Sequence, residues 1–169
     1  MDRDDFGERF TAISESLYRV ARSMLRAEDD CRDALCETAL RAWERRGTLR
    51  DEENFDAWVF RILINECRAI HRRQRRIVPT DTFPETPEPS GRNTAFAGTP
   101  ASITFDTPTP ALDALMSLSE TLRLPTVLHY VEGYSVEETA AILRVPKSTV
   151  RGRLSRARAA LRLELEVSR

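Results

Sequence analysis

The sequence predicts an all-α protein in which two small helical domains are joined by an extended, proline-rich linker. Apolar residues recur at three-to-four spacing on both sides of the middle of the chain, as in amphipathic helices, and no stretch alternates like a strand. Seven of the nine prolines fall between Pro79 and Pro110. The middle of the chain therefore separates two helical segments and has no predicted core of its own.

Length and composition are compatible with two small domains. The chain has 169 residues, of which 41% are hydrophobic and 31% are charged, and its formal net charge is -1. No apolar run approaches the roughly 18–20 residues of a membrane-spanning helix. Residues 1–6 also lack the basic and then apolar pattern of a signal peptide. We therefore expect a cytoplasmic protein that does not insert into a membrane.

Residues 5–76 are predicted to form a bundle of three helices. Each helix carries one apolar stripe, and three such stripes can face one another around a small core. Gly47 follows the second stripe, where we expect it to end the helix in a left-handed cap. The third stripe continues into a basic run, Arg72–Arg76. The stripes consist of Phe6, Phe10, Ile13, Leu17, Val20 and Met24, then Ala34, Leu35, Thr38, Ala39, Ala42 and Trp43, then Phe55, Trp58, Val59, Ile62, Leu63 and Ile70.

Residues 77–110 are predicted to be a flexible, acidic linker. Besides its prolines, this stretch contains serine, threonine and glycine, which favour extended or irregular backbone. Its charged residues are mainly acidic, with one arginine, Arg92, among them. The acidic residues are Asp81, Glu85, Glu88 and Asp106.

Residues 111–165 are predicted to form a second domain of shorter helices. Ser119 is placed to cap a helix that extends to Glu132, and Gly133 is placed to stop it. Pro125 lies inside this helix and lacks a backbone donor, so we expect a kink there. Ser135 can start the next helix by forming a capping box with Glu138, three residues later.

The last predicted helix begins after Pro146 and carries a strongly basic face. One side of it is apolar and the other displays small polar residues between arginines, which suits a helix that enters the major groove of DNA. Together with the preceding helix and turn, it has the pattern of a helix-turn-helix unit. The alternative is a helix hairpin whose basic face is merely solvated. The apolar side consists of Val150, Leu154, Ala157 and Leu161.

Metal-binding and catalytic patterns are not evident. Cys67 and His71 are four residues apart and can share a helix face, but a zinc site needs four ligands. The sequence has no phosphate-cradling glycine loop and no convincing pair of nucleophile and base. We therefore expect no catalytic residues, no metal, no cofactor and no enzymatic activity.

Several runs of the chain resemble one protein family. Residues 132–143 (EGYSVEETAAIL) and 145–161 (VPKSTVRGRLSRARAAL) closely resemble region 4 of the extracytoplasmic-function (ECF) sigma factors. Residues 17–22, 33–43 and 55–65 look like region 2 of the same family. The order and spacing of the runs also match. The resemblance implies a protein that binds core RNA polymerase and directs promoter recognition, DNA melting and transcription initiation.

The resemblance also implies a role for each helical face. Residues 5–76 correspond to region 2, whose second helix would dock on the polymerase and whose third helix would bind and open the minus-ten element. Residues 111–165 correspond to region 4, which would read the minus-thirty-five element. The implied polymerase-binding residues are Asp33, Leu35, Cys36, Glu37, Leu40 and Arg41. The implied DNA-binding residues are Trp58, Arg61, Asn65, Arg68, Arg72, Arg73, Arg144, Lys147, Ser148, Thr149, Arg151, Arg153, Ser155 and Arg158.

Some positions depart from the family pattern or allow another interpretation. Cys36 stands where the family usually has glutamine, and Ser119 replaces a common proline. Arg144 occupies a turn position where glycine is usual, and a left-handed arginine there would cost roughly 1–2 kcal/mol. Trp58 is equally well explained as a core residue.

Two hypotheses about partners follow. The resemblance implies that an anti-sigma factor controls the protein. The alternative is a stand-alone helix-turn-helix transcriptional regulator, which would bind operators without polymerase. That alternative would explain residues 135–162 and leave the region 2 pattern unexplained.

Overall fold

A computed structural model describes residues 1–77 and 109–167, and all regular secondary structure in these two ranges is helical. The first range contains α1 (Arg3–Met24), α2 (Glu28–Arg45) and α3 (Phe55–Ile77). The second contains α4 (Pro110–Ser117), α5 (Glu120–Thr126), α6 (Val136–Leu143) and α7 (Lys147–Val167). The predicted all-α class is confirmed. Most of the predicted linker, residues 78–108, lies outside the described residues.

Helices α1, α2 and α3 form a bundle whose apolar stripes face one another. Leu17 and Val20 of α1 and Leu63 of α3 are fully buried in its core. At one end, the ring of Phe6 meets Trp43 edge-on, with 5.4 Å between ring centroids. Asp2 starts α1, and its carboxylate accepts hydrogen bonds from two free amides of the first turn. The predicted stripes therefore build the first domain.

The end of α2 differs from the prediction that Gly47 forms a left-handed cap. Gly47 lies inside a short 3-10 turn, Arg46–Thr48, and does not have a positive φ. The Arg46 guanidinium lies 3.7 Å from the centroid of the Trp43 ring and donates a hydrogen bond to the Trp43 carbonyl oxygen. This side chain satisfies a carbonyl at the end of the helix, so the left-handed turn is not needed.

In the second domain, the regular α-helix is interrupted just after Pro125, and Ser119 does not cap it as predicted. Ser119 occupies the position before α5, yet its side chain makes no capping hydrogen bond. Helix α5 ends one residue after Pro125, and a π-helical segment, Val127–Val131, continues from it. Because Pro125 cannot donate to the preceding turn, the regular α-helical ladder is interrupted there. Gly133 then ends the segment with φ 78°, as predicted.

Helix α6 starts after Ser135 and α7 starts after Pro146, as the sequence predicts, and α7 extends to Val167. The Ser135 hydroxyl accepts from the amide of Glu138 at 3.1 Å, and the Glu138 carboxylate accepts from the amide of Ser135 at 2.8 Å. This is the predicted capping box. Arg144 ends α6 in the left-handed conformation, with φ 53° and ψ 46°.

The two domains pack against each other in the described structure. Helix α3 contacts α6, and α1 contacts both α5 and the π-helical segment. The rings of Phe60 and Tyr134 meet edge-on across this junction, with centroids 5.3 Å apart. Most of the buried apolar residues of both domains form one continuous cluster. This packing therefore fixes the position of one domain relative to the other.

The glycine that ends the π-helical segment provides a test of this backbone. We expect Gly133→Ala to lower the free energy of unfolding by roughly 1–2 kcal/mol, because an alanine is strained at φ 78°. A steric clash would not contribute, because a Cβ atom built at this position meets no atom within 4 Å. Urea unfolding followed by circular dichroism measures the change.

Gly152→Ala is the matched control. Gly152 is exposed on α7, and a Cβ atom there also meets nothing within 4 Å. Because this glycine is helical, alanine should raise the free energy of unfolding by about 0.5–1 kcal/mol. Shifts of the same sign in the two variants would contradict the assigned backbone of Gly133.

Candidate nucleic-acid and protein interfaces

The basic face of α7 points away from the other helices of the second domain. Val150, Leu154 and Ala157 are buried on the opposite side, where α7 packs against α4, α5 and α6. The residues predicted to read DNA from this helix are exposed, apart from Thr149 and Arg153, which are partly buried. The exposed ones are Lys147, Ser148, Arg151, Ser155 and Arg158. The structure thus brings the predicted readers of α7 together on one accessible face.

Lys147 already has an acidic neighbour at the start of α7. Its Nζ lies 3.0 Å from a carboxylate oxygen of Glu137 on α6. The hydrogen bond from Lys147 lowers the pKa of Glu137 below its ordinary value. Both side chains are more than half exposed, so water and salt weaken this pair. The contact links α6 to α7 and leaves the lysine accessible.

Helix α3 carries the second set of predicted DNA contacts, and its members have different surroundings. Asn65, Arg72 and Arg73 are exposed. Arg61 is half-buried and donates from Nε to the carbonyl oxygen of Ala57 at 2.9 Å. These residues follow one another along α3, so the helix presents a basic surface over several turns.

Among the predicted DNA-binding residues of α3, Arg68 and Trp58 already contact other parts of the protein. The Arg68 Nε donates to a carboxylate oxygen of Glu120 on α5 at 2.9 Å, which ties it to the second domain. Trp58 is half-buried and packs against the apolar cluster, with its ring centroid 6.2 Å from that of Phe55. This position agrees with the alternative that Trp58 is a core residue. Part of its ring is still accessible.

Arg144 faces the first domain rather than the exposed side of α7. It lines a cleft of about 380 Å³ between the two domains together with Trp58 and Arg61. Burial, and then the charge of Arg144, lowers the pKa of Arg61. The cleft is completed by Thr48, Leu49, Arg50, Asp51 and Asn54. Of the predicted second-domain readers, Arg144 is thus placed beside the α3 set.

The predicted polymerase-binding residues occupy the outer face of α2. Asp33 and Cys36 are exposed, and Leu40 exposes 52% of its surface. Leu35 and Glu37 are partly buried. An exposed apolar side chain among charged ones on the outer face of a helix is suited to a protein partner.

Arg41 has a structural role that the sequence did not indicate. Its Nε donates to Glu37 at 2.8 Å, and its Nη1 forms a short contact with Glu66. The Glu66 side chain on α3 is only 5% exposed, so the arginine neutralises a buried carboxylate. Arg41 therefore couples the α2 face to α3.

Two of the three cysteines are buried, and none belongs to a metal cluster. Burial raises the pKa of the Cys67 thiol to about 12 and that of Cys31 to about 11. His71 makes a 2.7 Å contact from Nε2 to the carbonyl oxygen of Met24. Within residues 1–77 and 109–167, no three His, Cys, Asp or Glu side chains are grouped to hold a metal ion. In the same ranges, no helix is sufficiently long and apolar to cross a membrane.

The sequence did not predict an ion pair that joins the two domains. Arg19 on α1 binds Glu132 in a bidentate manner, with distances of 2.8 Å from Nε and 2.7 Å from Nη2. The Glu132 side chain is 0% exposed. The partners are 113 residues apart, in two runs that resemble the family, and nothing in either run pairs one with the other.

Comparisons with known proteins agree with this arrangement. Residues 10–77 match the family Sigma-70 region 2, and residues 110–161 match Sigma-70, region 4. The chain is 33% identical over 161 residues to the ECF RNA polymerase sigma factor SigM of Mycobacterium tuberculosis, covering 95% of this chain and 76% of that protein. It is 32% identical over 163 residues to the RNA polymerase sigma-E factor of Streptomyces coelicolor, covering 95% of this chain and 86% of that protein.

A solved structure also matches the fold. The sigma factor RpoE of Bartonella quintana, in complex with the anti-sigma factor NepR, superposes with a TM-score of 0.77 and 27% identity. The superposition covers 99% of this chain and 100% of that one. Both sigma regions are thus present in order, on a fold shared with a known sigma factor, and the chain belongs to the extracytoplasmic-function family of RNA polymerase sigma factors.

Proposed function

We propose that this chain initiates transcription by binding core RNA polymerase through α2 and promoter DNA through α3 and α7. The observation that carries the proposal is the separation of three faces on one molecule. The α2 face is apolar and charged, as protein interfaces are, whereas the α3 and α7 faces are basic, as DNA interfaces are. The protein acts in the cytoplasm, where it recruits the polymerase and performs no catalysis of its own.

The α7 face supports reading of the upstream, minus-thirty-five element. Its buried side fixes the helix on the second domain, so the exposed side chains are presented together. Arginine can bind guanine edges or phosphates, and the small residues Ser148, Gly152 and Ser155 allow the helix to approach the groove closely. Helix α3, with Asn65, Arg72 and Arg73 exposed, supports binding of the minus-ten element.

An anti-sigma factor is the proposed regulatory partner. The similar RpoE structure contains the anti-sigma factor NepR. We propose that a protein of this class binds the present chain and withholds it from the polymerase. The stand-alone regulator is less well supported, because it would leave the region 2 match and the exposed α2 face without a role.

The direct experiment combines the purified protein with bacterial core RNA polymerase in gel filtration and then in run-off transcription on a genomic fragment library. Co-elution with discrete transcripts is the expected result, and the transcripts identify the promoter sequence. Specific DNA binding by the protein alone, without co-elution, would overturn the proposal in favour of the stand-alone regulator.

Truncating the exposed leucine of α2 tests the polymerase face. We expect Leu40→Ala to weaken binding to core polymerase about tenfold, because it removes the large exposed apolar side chain of that face. Leu40 is a cleaner choice than Glu37, whose carboxylate holds Arg41 beside Glu66. Fluorescence anisotropy of the labelled protein, titrated with core polymerase, measures the affinity.

Leu163→Ala is the control for that measurement. Leu163 exposes 65% of its surface, but it lies near the end of α7, away from the α2 face. It should leave the polymerase affinity unchanged. An equal loss for both leucine variants would remove α2 as the polymerase-binding helix.

A single arginine of α7 tests the upstream DNA contact. Arg151→Ala should weaken binding to the minus-thirty-five element about tenfold, because an arginine contact to a base or phosphate is lost. Its affinity for core polymerase should not change. Arg45→Ala, which removes an exposed arginine at the end of α2, is the control and should keep the DNA affinity. Loss of polymerase and DNA binding together in Arg151→Ala would contradict this assignment.

A further inference from the structure

An almost completely buried carboxylate lies beneath the α2 face that we assign to the polymerase. Among the charged residues whose burial the structure describes, Glu66 of α3 is the most buried, with 4% of its surface exposed. Its side chain meets α2, where Nη1 of Arg41 forms a short contact with one of its oxygens. Because Glu66 is buried, it cannot touch a polymerase itself, and any effect on that partner has to pass through Arg41.

Arg41 holds a second carboxylate, which belongs to the α2 face. Its Nε donates to Oε1 of Glu37 at 2.8 Å, while the same guanidinium stays in contact with Glu66. The hydrogen bond to Glu37, together with the charge of Glu66, raises the pKa of Arg41. The side chains of Arg41 and Glu37 are 35% and 42% exposed. One buried carboxylate thus fixes the positions of two opposite charges that a partner can reach.

Without Glu66, the pair of Glu37 and Arg41 would be an ordinary surface pair that is one helical turn apart. Such pairs contribute little, because water and salt screen them and both side chains lose rotamers when they meet. A guanidinium that is bonded on two sides has already lost this freedom before a partner arrives. A partner that uses charges arranged in advance does not have to order them on binding, and this raises the affinity.

The fixed charges lie beside the exposed apolar residue of the same face. Leu40 directly precedes Arg41 and lies three positions after Glu37, which places it on the same side of α2 as that carboxylate. In protein interfaces an apolar side chain supplies buried area, whereas charges beside it select the partner and its orientation. The positions of Glu37 and Arg41 therefore matter to a partner that binds over Leu40.

We propose that Glu66 is a positioning residue of the polymerase-binding face, which holds Arg41 and, through it, Glu37 in the arrangement that core polymerase recognises. The polymerase then meets a preformed pattern of an apolar side chain beside a fixed acidic and basic pair. The proposal rests on the proposed function, because it deepens the assignment of α2 to the polymerase. It adds to that face a residue that lies on another helix and does not contact the partner.

Two substitutions of Glu66 separate its charge from its size. Glu66→Gln keeps the size and removes the charge, so Arg41 is no longer fixed, and the affinity for core polymerase should fall about fivefold. Glu66→Asp keeps the carboxylate on a shorter side chain and should stay within about twofold of wild type. Each unlabelled variant competes with fluorescently labelled wild-type protein for core polymerase, and fluorescence anisotropy measures the affinity.

Glu52→Gln is the matched control for the change in net charge. Glu52 also pairs with an arginine of the first domain, Arg9, at 3.1 Å, but it lies in the short turn before α3. It should keep the wild-type affinity, and a loss as large as that of Glu66→Gln would overturn the proposal. Circular dichroism and urea unfolding establish that each variant is folded at the temperature of the binding assay.

A double-mutant cycle tests whether Glu66 acts through Arg41. Arg41→Met removes the guanidinium and should itself weaken polymerase binding. In that background Glu66→Gln should cause no further loss, because the side chain that Glu66 positions is gone. A further loss of the same size would mean that Glu66 supports the core of the first domain, and it would overturn the proposal. If Arg41→Met does not retain its helices, the contrast between Glu66→Gln and Glu66→Asp decides.

The mobility of the Arg41 side chain provides a measurement that does not involve polymerase. In the isotopically labelled, full-length chain, nuclear magnetic resonance should show slower exchange with water for the Nε proton of Arg41 than for that of Arg45, which is exposed on the same helix. Glu66→Gln should speed up the exchange at Arg41 and leave Arg45 unchanged. Unchanged exchange at Arg41 would show that Glu66 does not hold it, and the proposal would fail.

The outcomes separate the positioning role from the proposed function. If wild type binds core polymerase and Glu66→Gln binds it equally well, the positioning role fails and the proposed function stands. If Leu40→Ala, Arg41→Met and Glu66→Gln all bind like wild type, α2 is not the polymerase-binding helix, and both fail. If wild type does not bind core polymerase, the proposed function fails, and the positioning role falls with it.

Discussion

The carboxylate of Glu132 is completely buried, and this places a constraint on the arrangement of both domains. A buried ion without a partner costs several kcal/mol, so the carboxylate needs a cation that is held in place. Arg19 of α1 supplies it through two hydrogen bonds. The pair fixes α1 against the π-helical segment, and the apolar contacts around Phe60 and Tyr134 continue from there. The relation of α3 to α6 therefore rests on this ion pair together with the apolar contacts around it.

The two faces proposed to bind DNA are built in different ways. The α7 face depends on its own domain, since its apolar side is buried against neighbouring helices and its basic side is left exposed. The α3 face depends on both domains, because Arg68 and Arg61 meet residues of α5 and α6. The α2 face proposed to bind polymerase lies outside this junction. A change in domain packing therefore alters the surroundings of α3 without removing the other two faces.

Local signals in the sequence predicted many helix ends correctly, and the wrong predictions have local causes. The capping box at Ser135 and the stop at Gly133 follow from the chemistry of a few neighbouring residues, whereas the turn at Arg144 was indicated by the family resemblance. The prediction of a left-handed cap at Gly47 was wrong, because the Arg46 side chain hydrogen-bonds to the end of α2 and stacks on Trp43. Such a side-chain contact competes with the glycine cap, and spacing along the sequence does not reveal it.

The sequence by itself determined the all-α class, the three apolar stripes of the first domain, the basic face of α7 and the family to which the chain belongs. These features repeat within one helix or one turn, so a linear pattern contains them. The tertiary structure alone decided that Arg19 meets Glu132, that Arg68 meets Glu120 and that Arg144 shares a cleft with Arg61. These contacts join residues far apart in the chain, and the packing of the apolar cores selects them among many charged residues that are locally equivalent.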